Sequence, residues 1–404
     1  MGAVHKMMDM AFGEEITTYG EEDIVTAMSY ERYTRAIGQS KQKTSVGMDG
    51  WNSYILSRMG EKVKVMYWEC IVEAMKTGVY PTEWSSWYAM LAGKKGEDPA
   101  ELARRRDLWV VCHGQKIVMR MIFPEYTAAS DRGVPASQAG FEKNRGAPEQ
   151  SMTMRNIQDH AAQTGGDIYV LYIDWATFFM GIVKEVQTET EKRMGVHPDV
   201  SQVVVALHTE VKGAYETEYG LSGSFNVANG TGQGCINGAV RAKVILARNI
   251  ATEGGGYEIT PGKRNGRRIV VPNLSYADDM VWISSTAVGM QLTLDTCVMA
   301  AVVLNMEVKI KGKTKTAYAA TRWTREKKGG AMRQEDIEVD LRMANGTAEG
   351  TKVPKLDKED AYTYLGTIME VMWHGSSEST RRKVVKACKG VIAAISRVPL
   401  QTPE

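Results

Sequence analysis

Cysteine is scarce and scattered. The five thiols, Cys70, Cys112, Cys235, Cys297 and Cys388, show no C-x-x-C spacing, which argues against a structural zinc and against a secreted disulfide framework. The six histidines form no H-x-x-x-H pair. No apolar run approaches the ~20 residues of a membrane span, and the opening MGAVHKMMDMAFGEE lacks a signal-peptide layout. The net charge is only +2, so affinity for nucleic acid must come from local clusters rather than the overall field. Repeats and low-complexity linkers are absent. These absences leave the expectation of an intracellular, soluble chain with no membrane partner. Its 404 residues, 43% apolar and 24% charged, suffice for a large core and two or three subdomains.

Periodicity supplies the elements. The stretch 61–76, EKVKVMYWECIVEAMK, puts Val63, Met66, Tyr67, Cys70, Ile71 and Ala74 on one helical face. Gly78 and Pro81 end that helix. DIYVLYID, Asp167 to Asp174, is nearly continuous in apolar residues, as suits a strand buried on both faces. Helices are expected at 199–209, 239–251, 286–303 and from 378, the last with a basic face of Arg381, Arg382, Lys386 and Lys389. Hairpins are expected at 213–227 and 257–271, and strands at DIEVDLRMANG and AYTYLGTIME. The order strand, helix, hairpin, helix, strand predicts an α+β fold of split-βαβ type.

One stretch resists a purely structural account. LSYADDMVW, Leu274 to Trp282, places Asp278 beside Asp279 between apolar runs. Adjacent carboxylates repel and resist burial. A divalent cation holds such acids together, and two Mg²⁺ ions about 3.5–4 Å apart clamp an in-line phosphoryl displacement. That chemistry needs a third acid from another strand, and Asp174 ends the apolar run VLYID. A solvated Asp-Asp turn is the plain alternative.

Tyr276–Asp279, YADD, resembles the motif of reverse transcriptases, and neighbouring segments follow the order of their non-LTR retrotransposon (LINE-like) branch. KTSVGMDGW (43–51) resembles K-x-P-G-x-D-G. GVYPTEWSSWYAMLAGKKG (78–96) resembles G-x-x-P-x-x-W…KK, and RRRDLWVVCHGQKI (104–117) resembles R-P-I-S with a following lysine. QAGFEKNRG (138–146) resembles Q-x-G-F-R-x-x-R, and YIDWATFFMGI (172–182) the segment of the first palm acid. GTGQGC (230–235) resembles G-x-x-Q-G-x, GKTKT (312–316) N-x-x-K-T, and YTYLG (362–366) the primer-grip strand. The resemblance covers about residues 40 to 400.

The resemblance implies a right-hand polymerase fold with fingers, palm and partial thumb. It places an N-terminal extension at 1–40, fingers at 41–160, the palm at 161–320, and the end of the palm with a primer-grip hairpin and partial thumb at 321–404. It implies an RNA-directed DNA polymerase that takes dNTPs, an RNA template and a DNA or RNA primer, with two Mg²⁺ ions or Mn²⁺ in their stead. Asp174 and Asp278 would hold both metals and Asp279 would complete the cluster. Phe179, five residues after Asp174, would exclude a 2′-hydroxyl; a plain core aromatic is the other reading. Lys94, Lys95 and Arg106 are phosphate clamps or a solvated loop. Gln233 would reach the nucleotide or template base from the glycine loop, and Lys313 the leaving pyrophosphate unless it is a strand-edge lysine. Arg145 is a template-phosphate ligand or a surface arginine, and Gly366 belongs to the primer grip.

The chain also departs from the family pattern. Val46-Gly47-Met48 lacks the usual proline, AGKKG stands for PKKG, and RDL stands for RPI. Met180 replaces a frequent second acid, and GCINGA lacks the usual serine and proline. Two other readings stay open: a catalytically weak or inactive RNA-binding scaffold, and a group II intron-type enzyme. The resemblance also implies a longer polyprotein supplying endonuclease and nucleic-acid-binding segments, with nuclear residence.

Overall fold

Tertiary burial begins where the sequence is most apolar. In the computed structural model of the chain, Gly166–Ile173 forms a strand whose residues Ile168 to Ile173 are all buried. It lies at the centre of a five-stranded antiparallel sheet in the order Asn273–Tyr276, Asp279–Ser284, Gly166–Ile173, Ala317–Arg325, Met332–Asp336. Burial on both faces explains why its apolar residues run on rather than alternate. The helix Ala147–Thr164 contributes Met154, Ile157 and Ala161 to the cluster that holds Ile168, Val170, Tyr172, Val281 and Ile283. The hairpin Ala361–Tyr364 and Thr367–Glu370 adds Tyr364 and Met369 to the same cluster. Ser151 Oγ donates to Thr367 Oγ1 at 3.1 Å, linking that helix to the hairpin.

The structure describes residues 24–40, 45–93, 105–176, 178–230, 238, 255–259, 269–310, 315–325 and 332–371. Two compact units emerge, each discontinuous in sequence. The first comprises 1–141, 175–251 and 299–307; the second comprises 142–174, 252–298 and 308–404. The five-stranded sheet above belongs to the second. Among the described residues, no helix is long and apolar enough to cross a membrane.

In the first unit, strand Ser86–Gly93 pairs antiparallel with Arg105–Val110 and parallel with Lys212–Thr217. Trp87, Ala89, Trp109, Val111, Val211 and Val227 pack around them. A separate helical core gathers Tyr33, Ile37, Ile71, Ile117 and Leu207. Ala27, Tyr33, Ala36 and Ile37, inside the stretch expected to be an extension, belong to this core. Gly114 lies under the Trp84 indole, where an added Cβ would collide with the ring.

The helices expected at 61–76, 199–209 and 286–303 form as Glu61–Thr77, Pro198–His208 and Ala287–Val303. Gly78 ends the first in the left-handed region, at φ +70°. The hairpins expected at 213–227 and 257–271 also pair, although the turn of the latter lies outside the described residues. The helices expected at 239–251 and from 378 lie outside the described residues.

Two expectations need correction. The helix Glu61–Thr77 buries Ile71, Ala74 and Met75, whereas Val63 and Met66 are 48% and 56% exposed and Cys70 is exposed. Trp68 packs on the core beside Met28, and its indole N–H donates to Met28 O at 2.8 Å. The strand expected in 336–346 forms earlier, as Met332–Asp336, with only Arg342–Met343 extended beyond it. The edge of Ala317–Arg325 it would need is taken: Tyr318 N donates to Pro354 O, and Leu356 N donates to Tyr318 O.

Asp167 stands at the start of the central strand, where Arg322 donates to both its oxygens at 2.6 and 2.7 Å. Those bonds, opposed by partial burial, hold its carboxyl below the ordinary 3.8. A depressed folded value means stability that is present above the unfolded value and lost as pH falls through the folded one. Asp167→Asn is therefore expected to flatten the acid limb of stability below about pH 4, measured by denaturant midpoint against pH.

Candidate functional site

The Asp-Asp hairpin is built by its register. Tyr276 pairs with Asp279 across Asn273–Tyr276 and Asp279–Ser284, leaving Ala277 and Asp278 as a two-residue turn. Such turns require positive φ at their first central residue, and Ala277 adopts φ +57° while buried. A non-glycine residue there costs roughly 1–2 kcal/mol. Strain of this kind is tolerated where surrounding packing over-determines the turn. Asp278 is thereby fixed at the apex and Asp279, exposed, at the start of the returning strand.

That strand then meets the central one. Met280 pairs with Ile173, so one further step toward the tip sets Asp279 level with Asp174. Asp174 is held on both sides of its backbone: its N–H donates to Thr316 Oγ1 at 3.0 Å, and its carbonyl accepts from Lys309 N at 2.9 Å. Lys315 Nζ stands 3.0 Å from Asp174 Oδ2. The same oxygen is shielded from solvent and accepts no aligned hydrogen bond. Lys315 thus neutralises Asp174 by charge without completing its coordination.

A tyrosine wall closes the other side. Tyr362 stacks on Tyr172 with ring centroids 3.9 Å apart and planes inclined by 11°. Burial pushes its phenol up to about 12, aided by the negative charges of Asp174 and Asp279. The two acids therefore act on one ring, independently of the register argument. Tyr364, also raised by burial and then by Asp279, donates from its hydroxyl to Leu274 O at 2.9 Å. Leu365 and Gly366 turn this hairpin at φ +48° and +76°, a conformation glycine accepts freely and leucine does not. Tyr364→Phe removes the hydroxyl donor to the Leu274 carbonyl, which keeps its place in the ladder opposite Val281. The expected cost is about 0.5–1.5 kcal/mol, read from the urea unfolding midpoint.

The donor set consists of carboxylate oxygens, the choice of hard cations such as Mg²⁺ or Mn²⁺. Among the described residues, no group of three or more His, Cys, Asp or Glu is gathered closely enough to hold a metal. By their oxygen chemistry Asp174 and Asp279 suit such a cation, and Lys315 supplies positive charge beside Asp174.

The remaining predicted residues fall elsewhere. Phe179 lies in the first unit, half-buried on the short helix Phe178–Gly181, edge-on to Phe178 with centroids 5.1 Å apart. Gly230, which opens GTGQGC, donates to Ile182 O at 2.8 Å. A Cβ at Gly230 would stand 2.8 Å from both Met180 Cα and Phe179 O, and its φ is +94°. Gly230→Ala is expected to destabilise the first unit by roughly 1–3 kcal/mol, seen as a lowered thermal midpoint. Arg106 is exposed on Arg105–Val110, opposite Ala92. Arg145 is exposed just before Ala147–Thr164, its N–H donating to Glu142 O at 3.4 Å. Lys94, Lys95, Gln233 and Lys313 lie outside the described residues.

Sequence reasoning passed over Lys315 and the paired rings of Tyr362 and Tyr172. GKTKT offers two lysines, and Lys315 stands two residues before the strand Ala317–Arg325, which flanks the strand that leads into Asp174. That adjacency was the signal. No protein-family model matches this chain, and no curated protein matches it.

Proposed function

We propose that this chain is an RNA-directed DNA polymerase that extends a primer 3′-hydroxyl on an RNA template, with a right-hand polymerase architecture. The observation that carries the reading is the placement of Asp174 level with Asp279 beside the turn that holds Asp278. The ordered motifs around these acids add to it. Asp174 and Asp278 would hold two Mg²⁺ ions, with Asp279 completing the set. When bound, such ions lower the pKa of the attacking hydroxyl and neutralise the triphosphate and departing pyrophosphate.

The chain's own groups do the rest. Thr316 and Lys309 fix the Asp174 backbone, and Lys315 stands beside its carboxylate. The tyrosine wall stays protonated at neutral pH and adds no further negative charge beside the acids. Lys94, Lys95 and Arg106 would hold phosphates, Gln233 and Arg145 would contact nucleotide and template, and Lys313 would meet the pyrophosphate. Phe179 would block a 2′-hydroxyl, and Gly366 would let the hairpin turn approach the primer.

A second reading, an RNA-binding scaffold without catalysis, draws on the pairing of Asp174 with Lys315. Competition between dNTPs and rNTPs in RNA-templated primer extension tests the first reading. Wild type is expected to incorporate dNTPs, and Phe179→Ala to lose about tenfold or more of that preference, a change of ~1.4 kcal/mol. Incorporation of rNTPs alone would overturn the reading.

A further inference from the structure

A cavity of about 450 Å³ opens in the first unit, lined by Trp51, Tyr67, Trp84, Asp49 and Glu83 among others. The proposed polymerase chemistry uses none of these residues. Trp51 and Tyr67 lie with ring centroids 6.4 Å apart and planes inclined by 28°. Asp49 Oδ1 accepts from Trp51 N at 3.3 Å, while Oδ2 is shielded from solvent and accepts no aligned hydrogen bond. The Cys112 thiol, a weak donor, the His113 ring and the Tyr67 phenol are neighbours of this carboxylate. Among the described residues, neither Asp49 nor Glu83 has an ion-pair partner.

We infer that this cavity binds an organic cation, an alkylated ammonium group, against the aromatic rings of Trp51 and Tyr67, beside Trp84, with Asp49 and Glu83 supplying the counter-charge. Aromatic faces attract cations through the ring quadrupole, and quaternary ammonium groups are the ligands such walls suit best. The lining argues against the alternatives. Two carboxylates repel phosphate, so a nucleotide is disfavoured. A hard metal ion needs several oxygen donors, and aromatic walls offer none. An alkylammonium asks only for a nearby charge and apolar contact. The volume lies within the range of small-molecule sites.

The cation could belong to a free amine or to a methylated lysine side chain, and titration calorimetry on the full chain separates the two. Its arms are choline, its neutral carbon isostere 3,3-dimethylbutan-1-ol, and a short peptide bearing trimethyl-lysine beside its unmodified form. Choline or the methylated peptide is expected to saturate the site, with the neutral isostere at least about tenfold weaker. Saturation by choline alone marks a free amine, and tighter binding of the methylated peptide marks a side chain. Trp51→Ala, at a position 37% exposed, and Glu83→Gln, at an exposed one, are each expected to weaken binding several-fold without unfolding the chain. The exposed Cys70 thiol also lines the cavity, so its alkylation by iodoacetamide is expected to slow in the presence of the cation and not of the alcohol. Equal binding of the alcohol would overturn the inference. So would unchanged affinity in both variants, or no saturation with Cys70 alkylated at the same rate throughout. The inference does not depend on the polymerase reading, since none of these measurements involves primer extension.

Discussion

Asp174→Asn is expected to lower RNA-templated DNA synthesis by about a thousandfold while leaving the chain folded. Asparagine keeps the volume of the side chain and the backbone N–H bond to Thr316 Oγ1. What it removes is the charge. A ligand that holds both ions acts on the attacking and leaving oxygens together, and losing about 4 kcal/mol of that stabilisation corresponds to about a thousandfold in rate. The structural cost is small by comparison. Asp174 and Lys315 are 30% and 35% exposed at their side chains, and a pair so open to solvent contributes about 1 kcal/mol or less. Asp278→Asn, at the turn apex, is expected to behave alike, and Asp279→Asn to lose less. Single-turnover primer extension supplies the rate, and circular dichroism establishes that each variant is folded. Loss of activity together with loss of structure would assign the residue to folding instead.

Trp282→Ala is expected to destabilise the second unit by about 3–5 kcal/mol, the usual range for removing a buried aromatic. Trp282 has no solvent exposure and stands between Asn273 on one neighbouring strand and Leu171 on the other. It follows Asp279 by three residues on the strand that presents the acids. A cavity there loosens the hairpin whose register sets Asp279 level with Asp174. Synthesis is therefore expected to fall further than the fraction of unfolded chain accounts for. The indole Nε1 has no hydrogen-bond partner among the described residues, so Trp282→Phe sacrifices volume alone and is expected to cost well under half as much. Urea denaturation of the three proteins measures both effects, and a shift below about 1 kcal/mol for Trp282→Ala would contradict the packing described.

These effects mark how far the sequence could be read. The central strand was legible because burial on both faces leaves an unbroken apolar run from Ile168 to Ile173. The Asp-Asp hairpin was legible because two acids between apolar stretches have few places to go. The register that joins them to Asp174 was not. It depends on which strand lies beside Gly166–Ile173, and nothing local to either segment specifies that. The helix Glu61–Thr77 was placed correctly, but its inward face is only partly the expected one: Tyr67, Ile71 and Ala74 turn to the core while Val63, Met66 and Cys70 do not, and which neighbours the helix meets is set by the fold. The segment 337–341 alternates like a strand, yet Pro354 and Leu356 take the edge it would need. Lys313 and Lys315 are chemically equal in GKTKT, and only the fold sets Lys315 against Asp174. The cavity of Asp49 and Trp51 joins segments distant in sequence, and no short motif announces it.

The central claim is that Asp174, Asp278 and Asp279 act as one catalytic group. Single-nucleotide incorporation by the wild-type chain on a primed RNA template, with Mg²⁺ and one complementary dNTP, tests it most directly. The account predicts a primer longer by one deoxynucleotide, formed only when the divalent cation is present. A folded chain that binds the primed RNA yet adds no nucleotide at any Mg²⁺ or Mn²⁺ concentration would contradict it.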